Sequence, residues 1–367
     1  MKRTMDRLVL VLAASAATFV LSCSSGHAGK VDASPGADAA DLAPADGRAC
    51  QWVGFASQAT YTGSGQSIAV ADFNGDGYAD MVVVNWGTVS TSLTGNGRAS
   101  VHLNQGNGTF APATTYNTDM EATSVAVGDF SGDGKPDFAV ITVLDHLDVF
   151  INQGDGTFGS FVPHAGPQSA VVMTAGDFNR DGHPDLAVTT QDRAIDILLG
   201  DGNGGFAAPM AYTTGAEVDS IAVSDLNGDG YPDIVVTNAE LAGTCPGSGL
   251  LCLPTGLGAG TVNVLINQGD GTFAPQVSYA AGNGTASVAV GDLNGDGAPD
   301  IAATNSEDNT LSVFLNAGDG TLRAPVTYAI AGDPDAPTVA DFNGDGLPDL
   351  AVAMTDDTMG VFLSECE

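Results

Sequence analysis

The stretch "DFNGDGYAD" (72–80) places three aspartates and one asparagine within nine residues, and the apolar run "MVVV" (81–84) follows it at once. Charge of one sign is costly beside a buried strand unless something answers it. The stretch returns as "DFSGDGKPD" (129–137), "DFNRDGHPD" (177–185), "DLNGDGYPD" (225–233), "DLNGDGAPD" (292–300) and "DFNGDGLPD" (341–349). The first aspartates stand at 72, 129, 177, 225, 292 and 341, so the intervals are 57, 48, 48, 67 and 49. A unit of about 48 residues therefore recurs, interrupted by two insertions, and such a period signals a repeat architecture.

A second motif follows each of the first five copies: "LNQGNGTFAP" (103–112), "INQGDGTFGS" (151–160), "LLGDGNGGFAAP" (198–209), "INQGDGTFAP" (266–275) and "LNAGDGTLRAP" (315–325). Around these motifs each unit carries four strand-like runs. The first, such as "SVAVGD" (124–129), is small and β-branched, and the second, such as "IVVTN" (234–238), is nearly continuous apolar sequence, as for a strand covered on both faces. The third, "LDVFIN" (147–152), enters an Asp-Gly turn, and the fourth, "FAPQVSY" (273–279), closes the unit. Four antiparallel strands repeated radially describe an all-β fold, a β-propeller of six four-stranded blades, with seven blades as the alternative. The last unit stops after its third strand at "MGVFLSECE" (359–367), and "FASQATY" (55–61) has the spacing of the missing fourth. An N-terminal strand is therefore expected to complete the final blade and close the ring, which removes exposed sheet edges.

The 367 residues divide into three parts. Residues 1–22 have basic Lys2, Arg3 and Arg7 before an apolar run from Leu8 to Leu21, the layout of a secretory signal and too short for a comfortable membrane span. Cys23 at the cleavage position is the expected lipidation site of a bacterial lipoprotein, and Ser24 after it favours the outer membrane or cell surface. Residues 23–49, rich in Ala, Asp, Pro, Gly and Ser, read as a disordered tether reaching roughly 25–30 Å. Residues 50–367 hold the repeats. Four further cysteines remain: aligned units put Cys50 and Cys366 in one hairpin turn, an expected disulfide bolting the ring, and Cys245 and Cys252 in "CPGSGLLC" read as a local bridge.

With 44 acidic against 10 basic residues the formal charge is -34, which excludes nucleic acid and anionic membrane surfaces as natural partners and favours a cation. In D-x-[NS]-x-D-G-x-x-D, side-chain oxygens at positions 1, 3, 5 and 9 and the backbone carbonyl at 7 can wrap a hard cation such as Ca2+, and Gly at 6 permits the turn. The candidate ligands are Asp72, Asn74, Asp76, Tyr78 and Asp80; Asp129, Ser131, Asp133, Lys135 and Asp137; Asp177, Asn179, Asp181, His183 and Asp185. They continue with Asp225, Asn227, Asp229, Tyr231 and Asp233; Asp292, Asn294, Asp296, Ala298 and Asp300; Asp341, Asn343, Asp345, Leu347 and Asp349. An EF-hand would need Glu at position 12, where this chain has Val83, Val140, Val188, Val236, Ala303 and Val352. About six calcium sites are therefore expected, each finished by its ninth-position aspartate.

These motifs resemble the FG-GAP-like repeats, also called VCBS-type, of bacterial surface proteins and integrin α-subunits, and the likeness covers residues 52–366. The resemblance implies a propeller with calcium in the hairpin between the first two strands of a blade. In an up-and-down blade the calcium hairpins share one side, and the insertions at about 86–99 and 239–260 leave from the other. Trp86, Asn96 and Arg98 are accordingly the candidate ligand contacts. No nucleophile elbow or phosphate loop is present. The expected function is a monomeric, calcium-stabilised, lipid-anchored binding or adhesion module for protein or glycan. A propeller-scaffold polysaccharide lyase or phosphoesterase, or a structural envelope component, are the alternatives.

Overall fold

The computed structural model describes residues 67–85, 97–106, 109–119, 121–143, 145–242, 256–330, 332–340, 348–354 and 359–363. Outside them lie the signal segment and tether, the 55–61 strand, Trp86, Asn96, all five cysteines and the first seven positions of the sixth acidic loop. The described residues form six antiparallel sheets, at 67–117, 122–165, 170–213, 218–283, 285–329 and 334–362. Five have four strands and the last has three, each in plain sequence order. Sheet 2 shows the pattern: Ala122–Gly128, Asp137–Thr142, His146–Phe150 and Val162–Ala165, each strand paired to the next.

The second strands are wholly buried in sheets 2, 3 and 5 because each sheet is covered on both faces. Each apolar cluster belongs to a pair of successive sheets. Val84, Val101, Phe138 and Phe150 join sheets 1 and 2, and Ile141, Leu147, Met173 and Leu186 join sheets 2 and 3. The same holds for Ile197 with Ile234, for Val264 with Phe314, and for Leu311 with Leu350 along the remaining seams. First strands lie against first strands from sheet to sheet. Their small side chains also bond across: Ser67 Oγ accepts the Val125 N–H at 3.3 Å and Ser124 Oγ the Met173 N–H at 3.1 Å.

Three expected boundaries move. The fourth strand begins after the motif's phenylalanine, which makes only an isolated bridge, as in Asn152–Phe158 and Asn267–Phe273. In the Ala-Pro copies the proline that follows cannot donate to a ladder, so regular pairing resumes beyond it, at Val277 in sheet 4. The insertion expected at 239–260 is partly sheet: Asp233–Ala242 and Gly256–Leu265 run on as paired arms, with Leu241 opposite Leu257. Likewise Arg98, expected in a loop, is the exposed first residue of Arg98–His102, paired with Asn85 and Asn117.

The outer seams are latched by the second motif. Asn152 Nδ2 donates to the Phe73 carbonyl of the preceding sheet at 2.9 Å, Asn267 to Phe178 at 2.7 Å and Asn316 to Leu226 at 2.7 Å. A tyrosine of each preceding sheet reaches forward: Tyr116 Oη accepts the Phe158 N–H at 3.0 Å, Tyr212 that of Phe273 and Tyr279 that of Leu322. Between sheets 2 and 3 both latches are replaced. Gly200 stands in the asparagine position, where a Cβ would lie 2.3 Å from the Pro184 oxygen, and His164 stands in the tyrosine position. The His164 ring sits edge-on to Phe206 as Tyr116 sits on Phe158, with Nε2 buried and unbonded.

Asn152→Ala removes the amide bonds to the Phe73 and Pro136 carbonyls, leaving Phe73 with the Gly156 N–H at 3.1 Å, and should lower unfolding free energy by roughly 1–3 kcal/mol in urea titrations. His164→Tyr supplies the missing latch and should raise stability by about 1 kcal/mol in the same assay.

Candidate metal centre

Each acidic loop described in full turns through two left-handed residues, at positions 4 and 6: Gly75 and Gly77, Gly132 and Gly134, Gly228 and Gly230, Gly295 and Gly297. In the third loop Arg180 occupies position 4 at φ 56, a strained conformation for a residue with a Cβ, and its guanidinium lies 4.6 Å from the Tyr231 ring centroid of the next loop. The turn aims successive backbone amides inward. Asp72 accepts the Asp76 N–H at 3.1 Å and the Gly77 N–H at 2.8 Å, and Asp129, Asp225 and Asp292 repeat both bonds. Position 3 oxygens receive the position 5 amide, as Asn74 does from Asp76 at 3.0 Å. Position 5 receives the position 7 amide, as Asp76 does from Tyr78 at 2.9 Å.

The ninth-position aspartate behaves differently. Asp80, Asp137, Asp185, Asp233, Asp300 and Asp349 are 0% exposed. In four of the five loops described in full, one oxygen accepts the position 2 N–H of its own loop, for example Phe73 to Asp80 at 2.9 Å, and in the second loop Asp137 accepts the position 3 N–H of Ser131 at 2.9 Å. The other accepts the N–H of the second motif, for example Asn104 to Asp80 at 2.7 Å. This carboxylate therefore staples the loop to the neighbouring hairpin of its sheet. Above it the position 7 side chain lies over that hairpin's glycine: a Cβ on Gly106 would meet Tyr78 at 2.6 Å, and one on Gly202 would meet His183 at 2.3 Å. The carbonyl of position 7 was the expected contribution of these residues; their side chains pack the two hairpins together.

Burial pushes the Asp185 and Asp233 carboxyls up to about 6, against the two amide bonds, and the other loop carboxylates add to the rise. Asp80, Asp137 and Asp300 are raised for the same first reason. In the second loop Ser131 replaces the asparagine whose amide elsewhere serves position 5, and the Lys135 ammonium bonds Asp133 at 2.8 Å instead, holding it below the usual carboxylate range.

Among the described residues no three His, Cys, Asp or Glu side chains are gathered as in a formed metal cage. The donor chemistry nonetheless fits a hard cation. Every candidate atom is oxygen, and the ninth-position oxygens each retain lone-pair capacity beyond the one amide bond they accept. One candidate ligand atom is buried with no hydrogen-bond partner, Asp177 Oδ1 at position 1. Positions 1, 3, 5 and 9 with the position 7 carbonyl would hold the ion, whose charge would offset the mutual repulsion of three carboxylates. The latch residues Asn152, Asn267, Asn316, Tyr116, Tyr212 and Tyr279 were not singled out from sequence, although their repetition in the second motif was the available signal.

Comparison with known proteins follows this geometry. FG-GAP-like repeat profiles match residues 89–140, 129–188, 177–236, 250–303 and 292–352, and an FG-GAP repeat profile matches 64–102. No curated protein sequence matches the chain. Among solved structures, a lectin of Agrocybe aegerita that recognises non-reducing terminal N-acetylglucosamine is similar at TM-score 0.53 and 19% identity, over 81% of this chain and 80% of its own. The BP39L lectin of Burkholderia pseudomallei is similar at TM-score 0.57 and 16% identity, over 80% of each chain. At these identities the likeness is one of fold, and it agrees with a β-propeller.

The raised carboxyls favour the protonated folded state in the metal-free chain. Their stabilising contribution is complete below the ordinary carboxylate range and is lost as pH rises through about 6. Metal-free protein should therefore melt higher at pH 5 than at pH 7. In millimolar calcium the order should reverse, because protons and the ion compete for the same oxygens. Identical pH profiles with and without calcium would count against the metal reading.

Proposed function

The chain belongs to the FG-GAP-like repeat family, and from that premise we propose a calcium-stabilised β-propeller of six blades that presents a ligand-binding face, with carbohydrate the favoured ligand class. The observation that carries this reading is the unequal use of the two sides. On one side every loop described in full is committed to the same oxygen-rich turn and amide staple, with the asparagine latch at three of the seams. On the other, the paired arms of 233–265 project and the hairpins differ from sheet to sheet, as binding loops on a rigid scaffold do. Calcium serves the scaffold: at millimolar concentration and a dissociation constant near 0.1 mM, each site would contribute about 1.4 kcal/mol.

The same proposal includes closure of the ring by the 55–61 strand and a Cys50–Cys366 bond, and lipid anchorage at Cys23 on an exported chain. A monomer tethered from the calcium side would turn the variable side outward. The fold likeness to two lectins supports the carbohydrate class, and the formal charge of -34 argues for uncharged glycans over sulfated or sialylated ones. A printed glycan array probed with the mature chain, in calcium and then after chelation, tests the reading. Binding to neutral glycans that disappears together with cooperative melting after chelation is expected. A chain that melts identically without calcium and binds no glycan would refute it.

A further inference from the structure

Asparagine followed by glycine occurs eight times in the chain, and both residues are described at 74–75, 203–204, 227–228, 283–284 and 294–295. Such a pair is chemically labile, because glycine carries no side chain to keep its backbone nitrogen from the neighbouring carboxamide carbon. The fold divides these identical dipeptides into two groups. All the glycines are left-handed, with φ between 65 and 82, so the backbone angle does not separate them.

In the first group the nucleophile is held. The Gly204 N–H donates to the Phe130 carbonyl of the preceding sheet at 2.8 Å, and the Gly284 N–H to the Gly258 carbonyl at 2.9 Å. Both glycines are buried, although Asn203 and Asn283 themselves are exposed. A buried amide must break its bond before the nitrogen can turn to the side chain.

The second group is positions 3 and 4 of the first, fourth and fifth acidic loops. Gly75, Gly228 and Gly295 are exposed, and their N–H groups make no hydrogen bond among the described residues. The asparagine beside each is already polarised. The Oδ1 atoms of Asn74, Asn227 and Asn294 accept the position 5 N–H at 3.0, 3.0 and 2.8 Å, a donor aimed where negative charge grows during attack. Their Nδ2 atoms donate to the position 5 carboxylate at 2.9, 2.8 and 3.0 Å, so a proton acceptor stands beside the leaving nitrogen. The third loop supplies a comparison: Asn179 makes the same two bonds to Asp181, but the bulky Arg180 follows it.

We propose that Asn74, Asn227 and Asn294 are sites of spontaneous deamidation, a modification that converts position 3 of three acidic loops from amide to carboxylate. The glycine nitrogen loses its proton and bonds to the asparagine Cγ; the Cγ–Nδ2 bond breaks, and ammonia leaves with that proton. Water then opens the cyclic imide. Attack at Cγ gives aspartate, and attack at the main-chain carbonyl gives isoaspartate, with an extra methylene in the backbone. Either product sets a like charge against position 5 where a donor stood. Aspartate would offer a hard cation a fourth carboxylate in the turn, whereas isoaspartate would displace the position 3 oxygen.

The test strips the mature chain of metal and keeps it folded in trimethylamine N-oxide, with circular dichroism as the check, so the result is independent of whether calcium binds. Its peptides are then followed by mass spectrometry for amide-to-acid conversion and for isoaspartate. Asn74, Asn227 and Asn294 should convert about 10-fold faster than Asn203 and Asn283, and the difference should vanish in urea, where every pair is free. Arg180→Gly should create a further site at Asn179, converting as fast as the other three, because glycine accepts the φ of 56 without strain. Loop asparagines that convert no faster than Asn203 and Asn283 in the folded chain would overturn the proposal, as would an inert Asn179 in Arg180→Gly.

Discussion

A single buried carboxylate, repeated in every sheet, holds the fold in register. The ninth-position aspartate takes one amide from its own loop and one from the second hairpin of its sheet. The carbonyl of the residue whose amide it holds is in turn the target of the next sheet's asparagine, as in Leu226, bonded through its N–H to Asp233 and through its oxygen to Asn316. Bonds within a sheet and bonds between sheets therefore meet on one residue. Each acidic loop is fixed only as well as its neighbour's hairpin, so stability in this chain is a sum of local units and nearest-neighbour seams.

The expense of that arrangement is electrostatic. A carboxylate removed from water beside two others of the same sign is destabilised even with two amide donors, which is why Asp185 and Asp233 stand near 6. Both features point to the same remedy: a divalent ion in the turn would lower those values and supply the missing partner for atoms such as Asp177 Oδ1. The seam between sheets 2 and 3 shows what happens when the latches are altered. There Gly200 and His164 replace asparagine and tyrosine, and the Gly204 N–H to the Phe130 carbonyl at 2.8 Å carries the outer contact with the packing of Phe130 on Phe206.

The repeat, the strand order and the acidic turns were legible in the sequence because they are local: period, alternation and turn chemistry all act within a dozen residues. The latches were not, since Asn152 and Phe73 are 79 residues apart and Asn316 and Leu226 are 90 apart. The asparagine of "NQGDG" reads locally as a turn residue, and only the packed seam reveals its reach. The paired arms around Leu241 and Leu257 were hidden by the Gly-rich composition of that stretch, which signals a loop by propensity while the ladder continues through it.

With one side fixed by the amide staples and seam latches, the other is free to vary without loss of fold. The dependence of the whole on metal in the turns is tested most directly by elemental analysis of mature chain purified without chelators. With six acidic loops in the sequence, about six calcium ions per folded chain are expected. A cooperatively folded chain carrying no alkaline-earth metal would contradict it.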